Sequence, residues 1–148
     1  MNKPAFSPIL KRPASEIKRP PPLPIGHYLW AVQGLPRFDK SSKKGTDFVE
    51  FNCKLLQPLD DVDPADLEAA GGIGDRTKTL TFYLTEKSAY RLTEFMRDDL
   101  GIDGEGKSVE QMIDETPGRQ FLAAIIHEPS RDGKGIYDNI GATAPVES

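Results

Sequence analysis

Alternating apolar and polar residues predict a β-strand at 48–55. One face of this stretch carries the apolar side chains of Val49, Phe51, Cys53 and Leu55. The opposite face is polar except for its first residue, Phe48, and it ends at Lys54. Because strand side chains alternate between two faces, we expect the apolar set in the core and Phe48 and Lys54 facing outward.

A second apolar run, 24–32, precedes this strand and is opened by Pro24 and Gly26. Its β-branched and aromatic residues favour an extended chain, so we expect it to form a long hairpin with the next strand. Both of its faces carry apolar groups, and the pattern therefore leaves open which face Trp30 occupies. The connection 36–45 sets four bases against one acid around Phe38, a mixture that suits contact with nucleic acid.

Three further strands are predicted, at 77–84, 120–126 and 136–140. In the first of these, alternation places Tyr83 on the outer face. Apolar residues spaced by three and four predict an amphipathic helix at 90–100. Ser108 and Gln111 indicate the capping box of a second, short helix.

The resulting order, β-β-β-α-β-β, is that of the OB-fold, in which strands two and three and the 1–2 and 4–5 loops form the binding surface. We therefore predict a mainly β protein with one to two helices, built as a five-stranded OB-fold barrel over 24–143. The chain has 148 residues, 37% of them hydrophobic, which is enough for one core. Residues 144–148 form a short tail.

The proline-rich segment 1–23 is set apart from this domain by its composition. It holds six prolines, and five bases against the single acid Glu16. Proline at this density prevents regular secondary structure, so we expect a disordered basic arm. Contact with nucleic acid, binding to a proline-reading partner domain, and a solvated tail all stay open as its role.

Charge is unevenly distributed along the chain, whose formal net charge is −4. Acids concentrate at 60–68 and 98–115, whereas bases concentrate in the arm and in the two loops that flank the predicted surface. Lys and Arg drive phosphate binding, and aromatic rings stack on bases. The candidate nucleic-acid-binding residues are Arg37, Phe38, Lys40, Lys43, Lys44, Phe48, Lys54, Tyr83, Arg131, Lys134, Trp30 and Tyr137.

Other kinds of site are less well supported. A single cysteine, Cys53, allows neither an internal disulfide nor a cysteine-based zinc site. Residues 99–110 match a calcium-binding loop only in part, because the third position is Gly101. His27 and His127 have no nucleophile motif beside them. We therefore expect a non-catalytic protein with no cofactor and no metal.

Several features follow one another in a particular order between residues 24 and 141. They are Pro24-Ile25-Gly26-His27-Tyr28 before a strand, a polar loop ending at Gly45, the helix at 90–100, and Pro117-Gly118-Arg119-Gln120-Phe121 followed by Asn139-Ile140. In this order and spacing the chain resembles the phage and prophage single-stranded-DNA-binding proteins of recombination modules. The resemblance implies an OB-fold that coats single-stranded DNA during replication or recombination. The chain departs from this family in its long acidic loop, 58–76, and in lacking a strongly acidic C-terminal tail.

The partners that this reading implies are single-stranded DNA and phage recombination or replication proteins, with a homodimer as a candidate assembly. The alternative is an OB-like protein-interaction module, whose arm or acidic loop docks a recombinase, nuclease or host factor. The chain has no apolar run near the roughly 18–20 residues of a membrane span, and no signal-peptide pattern. We therefore expect no membrane contact and a location in the cytoplasm of the bacterial host.

Overall fold

The computed structural model describes residues 13–14, 21–130, 133 and 135–146. In this part the chain is mainly β, with six strands and three short helices. The strands are β1 Gly26–Val32, β2 Arg37–Lys40, β3 Asp47–Pro58, β4 Thr77–Tyr83, β5 Gln120–Pro129 and β6 Ile136–Ala144. The helices are α1 Pro64–Ala69, α2 Ala89–Glu94, which continues into a π-helical turn at Phe95–Asp99, and α3 Val109–Ile113. None of the helices in the described residues is long and apolar enough to cross a membrane.

All strands pair antiparallel, with β3 at the centre. It pairs with β4 along one edge and with both β1 and β2 along the other, and β5 joins β1 to β6. Val32 is opposite Cys53 and Arg37 is opposite Glu50, so β1 and β2 follow one another along the same edge of β3. The predicted hairpin is confirmed, but its connection was expected to have no strand and instead contains β2.

The sheet is open, and the predicted closed five-stranded barrel is not observed. Its outer strands are β4 and β6, and no backbone ladder joins them within the described residues. Side chains nevertheless link the two strands, because Lys78 on β4 forms an ion pair with Asp138 on β6. Thr143 on β6 also donates a hydrogen bond to Asp99 at the end of the π-helical turn. The sheet is therefore curled enough to bring its two outer strands into contact.

The core lies between the inner face of the sheet and the helix that follows β4. Alternation in β3 is confirmed, since its four apolar residues from Val49 to Leu55 are buried. The Phe95 ring lies at the centre of an aromatic cluster, with its centroid 5.6 Å from that of Phe51, 5.2 Å from Phe82 and 5.1 Å from Phe121. The helix thus packs one apolar stripe against three strands.

Trp30 belongs to this core and not to the surface. Its side chain is fully buried, its Nε1 donates to the Ala123 carbonyl at 3.3 Å, and its ring lies edge-on to Tyr28. The reason is the register of β1, which places Trp30 opposite Leu55 on β3 and Phe121 on β5, so that it shares the buried face of these two core residues. Trp30 is therefore removed from the candidate binding residues.

The fold also begins earlier than the predicted boundary at residue 24. Leu23 is fully buried, and its backbone nitrogen donates to Asp138 Oδ2 at 2.7 Å. The Pro21 carbonyl accepts a hydrogen bond from Arg76 Nη1 at 3.0 Å. Residues 21–23 are therefore part of the domain, and at the other end β6 continues to Ala144. Most of the predicted arm, 1–12 and 15–20, lies outside the described residues.

The acidic loop 58–76 contains the helix α1, which the sequence pattern did not predict. Asp63 is its N-cap, and Oδ1 of this residue accepts hydrogen bonds from the backbone nitrogens of Ala65 at 2.8 Å and Asp66 at 3.2 Å. Pro64 occupies the first helical position, where its missing N–H has no cost. The local cap explains why a six-residue helix forms here.

Candidate nucleic-acid interface

The outer face of β3 and β4 is a two-stranded surface with fixed register. Four cross-strand pairs form it: Phe48/Tyr83, Glu50/Thr81, Asn52/Thr79 and Lys54/Thr77. All four β4 members are exposed, as predicted for Tyr83. At about 3.3 Å per residue, the six steps from Tyr83 to Thr77 extend over about 20 Å. The face is long enough for several nucleotides.

One end of this face is aromatic. The rings of Phe48 and Tyr83 have centroids 6.1 Å apart and an interplanar angle of 58°, and Tyr83 is 48% exposed. The guanidinium carbon of Arg37, on β2, lies 5.3 Å from the centre of the Phe48 ring. Three adjacent strands thus bring together two aromatic rings and a cation that stacks on one of them.

Two of the candidate bases are already paired with acids. Arg37 Nη1 lies 2.6 Å from Asp39 Oδ2, and its Nε lies 3.4 Å from Glu50 Oε1. Lys40 Nζ lies 2.5 Å from Asp47 Oδ1. A hydrogen bond from the Lys40 backbone nitrogen, together with the nearby Arg37 charge, holds the pKa of Asp39 below its usual value. Arg37 and Lys40 can contact a phosphate only in competition with these carboxylates.

Three lysines carry positive charge that is not neutralised in this way. Lys43 and Lys44 lie in the turn between β2 and β3, where Ser41 Oγ accepts a hydrogen bond from the Thr46 backbone nitrogen at 3.1 Å. Lys54 is exposed near the far end of the face. None of the three makes an ion pair with another described residue.

The remaining candidates lie at the margins or outside the described residues. Phe38 is 56% exposed and borders an open cavity of about 430 Å³ together with Phe48. Tyr137, on β6, is 42% exposed and shares a smaller cavity with Thr77, at the other end of the face. The predicted bases of the 4–5 loop, Arg131 and Lys134, fall outside the described residues.

In the segment 99–110, which partly matches a calcium-binding loop, the first carboxylate is hydrogen-bonded to a residue of β6. Asp99 accepts a hydrogen bond from Thr143, and burial raises its pKa above the usual value. Among the described residues, no three His, Cys, Asp or Glu side chains are grouped in a way that could hold a metal ion.

The sequence pattern did not predict that two acids pair with the candidate bases Arg37 and Lys40. Glu50 was assigned to the outer face, but its contact with Arg37 follows only from the pairing of β2 with β3. Asp47 pairs with Lys40 for the same reason, since the two residues are opposite one another in register. Detecting β2 in the polar connection would have revealed both contacts.

Two comparisons, with protein-family models and with curated proteins, bear on the family of the chain. No protein-family model matches the chain, and no curated protein matches it.

Proposed function

We propose that this protein binds single-stranded DNA without catalysis, on the outer face of β3 and β4, in phage or prophage replication or recombination. The observation that carries the proposal is the pairing of the half-buried Phe48 ring with the exposed Tyr83 ring, with the Arg37 guanidinium over Phe48. Aromatic rings stack on any base, because every base has a π face. In a duplex those faces are already stacked on neighbouring bases, so the pair favours a single strand.

The charge around the aromatic pair supports the same proposal. Bases outnumber acids five to three over residues 37–54, although the whole chain is acidic. Lys43 and Lys44 lie beyond one end of β3, and Lys54 lies near the other. A strand that follows the face would thus have cations near both ends for its phosphates.

The OB-fold is part of this proposal. Because β1 and β2 follow the same edge of β3, they can be counted as one interrupted strand, which gives five strands with α2 and α3 between β4 and β5 and the short helix α1 between β3 and β4. On this count β3 and β4 are strands two and three, the pair that forms the binding surface of OB-folds.

The proposal is tested by fluorescence anisotropy with a labelled single-stranded oligonucleotide of mixed sequence. Phe48→Ala and Tyr83→Ala should each weaken binding by about 1–3 kcal/mol, or roughly 5- to 150-fold in Kd. The matched control is Tyr90→Ala, because Tyr90 is 50% exposed on α2 and also lies beside an arginine, Arg91. The affinity of the Tyr90→Ala variant for the oligonucleotide should equal that of the wild type.

Circular dichroism must show that each variant is folded. Unchanged affinity in folded Phe48→Ala and Tyr83→Ala would overturn the proposal. Tighter binding to a duplex of the same sequence would also overturn it.

A further inference from the structure

An open cavity of about 730 Å³ borders α1, away from the face assigned to DNA. Its lining is apolar at Leu59, Val62 and Leu67 and acidic at Asp60 and Glu68. A surface of this kind suits a segment that combines apolar residues with positive charge.

Contacts with β1 hold the wall of this cavity in place. The backbone nitrogen of His27 donates to Asp61 Oδ1 at 2.9 Å, and its Nδ1 lies 2.6 Å from Asp61 Oδ2. Gly26 approaches so closely that an added Cβ would lie 2.6 Å from Val62 Cγ2. The cavity is therefore preformed by the fold.

The segment 60–68 has five acids and no base. Asp61 is satisfied by His27, and Asp63 caps α1. The other three acids, Asp60, Asp66 and Glu68, make no ion pair with any residue that the structure describes. Asp60 and Glu68 line the cavity and Asp66 lies on the same short helix as Glu68, so the cavity has a negative potential that a cationic segment could neutralise.

Pro21, where the continuous described stretch 21–130 begins, is linked to the margin of this cavity by Arg76. Arg76 Nη1 donates to the Pro21 carbonyl at 3.0 Å, and its Nη2 donates to the carbonyl of Ala70, the C-cap of α1. The next residue, Gly71, lines the cavity. One arginine thus joins the end of the segment 1–20 to the margin of the cavity.

The segment 1–20 has the complementary charge and enough length. It carries five bases against one acid, together with apolar residues such as Ile9 and Leu10. Twenty residues in a polyproline conformation would extend over about 60 Å, so the basic residues can reach any part of the cavity.

We propose that residues 1–20 dock into this cavity within the same chain. Their lysines and arginines lie against Asp60 and Glu68, and their apolar residues lie against Leu59 and Leu67. The acidic loop is then a receptor for the basic arm. The proposal does not depend on DNA binding.

The test uses the full chain with a spin label on Ser15→Cys and records amide signals by nuclear magnetic resonance. Cys53 is fully buried, so the label should attach only to the new cysteine, which a labelling reaction on the wild-type chain checks. We expect loss of signal at Leu59, Leu67 and Gly71 and none at Tyr83.

The matched control is the same labelled chain with Asp60→Asn, Asp66→Asn and Glu68→Gln, in which the signals should be retained. Raising the salt from 0.1 M to 1 M should also restore them, because the screening length falls from about 10 Å to about 3 Å. Signal loss centred on Tyr83, or uniform weak loss, would overturn the proposal.

A further experiment shows whether the docked arm belongs to the same chain or to a second copy. It uses a mixture of isotope-labelled wild-type chain and spin-labelled chain without the isotope. Signal loss at the cavity in this mixture would place the arm of a second copy there and would overturn docking within one chain. No DNA is present in this experiment, so a negative result leaves the proposed DNA binding untouched. A negative result in the DNA-binding test likewise leaves the docking of the arm untouched.

Discussion

Asp138 Oδ2 accepts a hydrogen bond from the backbone nitrogen of Leu23 at 2.7 Å, across 115 positions of the chain. The other oxygen, Oδ1, forms an ion pair with Lys78, and Arg76 Nη1 lies 3.8 Å from Oδ2. Burial opposes ionisation of this carboxyl, but the hydrogen bonds and the Lys78 charge outweigh it and hold its pKa below the usual value. A single carboxylate thus ties residues 21–23 and β4 to β6.

The first prediction follows from this lowered pKa. The carboxylate adds stability above the unfolded pKa of about 3.8, and that stability is lost as the pH falls through the lower folded value. Asp138→Asn should lower the free energy of unfolding by about 2 kcal/mol at neutral pH, since it leaves Lys78 and Arg76 without their partner. Urea denaturation should show the difference shrinking as the pH falls below about 4.

Asp98→Asn is the matched control, because Asp98 also pairs with an arginine but is exposed. An exposed pair is screened by water and contributes little to stability, so this variant should be close to wild type. If the two variants lose the same stability, or if the Asp138→Asn difference persists at low pH, the carboxylate does not hold the strands together.

A second prediction separates Trp30 from the surface aromatics. Trp30→Ala removes a fully buried ring and should cost about 3–5 kcal/mol of unfolding free energy. Phe48→Ala removes a half-buried ring and should cost clearly less. Urea denaturation of both variants compares them directly, and equal losses would contradict the assignment of the two faces.

The third prediction concerns the only cysteine. Burial raises the pKa of the Cys53 thiol to about 12, so the reactive thiolate is scarce at about pH 8. A thiol-specific reagent should leave the folded protein unmodified and should react with one thiol per chain in denaturant. Because the folded pKa lies above the unfolded one, this group also makes the protein less stable as the pH rises above about 9. Rapid modification of the folded chain would contradict the buried position.

Local patterns in the sequence predicted local features of the fold. The alternation in β3 identified its buried face, because each residue needs only the pleat of its own strand. The capping box also needs only nearby residues, and both of its bonds form, between Ser108 and Gln111. The signal for α1 was present as well, in Asp63 followed by Pro64, but the density of acids suggested an irregular loop.

Features that depend on distant residues could not be predicted in the same way. The strand β2 is four exposed residues long, so its burial does not alternate, and its backbone pairs with β3. Trp30 lies on a strand with apolar groups on both faces, and only the neighbours β3 and β5 decide which face is covered. The contact of Leu23 with Asp138 joins opposite ends of the domain. These contacts arise from long-range packing, which composition and spacing do not encode.

The fourth prediction concerns the salt dependence of binding to single-stranded DNA. Each phosphate contact contributes about 0.7 to the slope of log affinity against log salt, so Lys43→Ala with Lys44→Ala should flatten the slope by about 1.4. Lys40→Ala should flatten the slope by less than the amount expected for one full phosphate contact. Lys40 already pairs with Asp47 at 2.5 Å, and removing the lysine also leaves that carboxylate unpaired. Lys107→Ala is the control, since Lys107 pairs with Glu115 near α3 and should leave the slope unchanged. If the double variant has the wild-type slope, the β2–β3 turn does not contact the phosphates, and the strand must follow a path closer to Lys54.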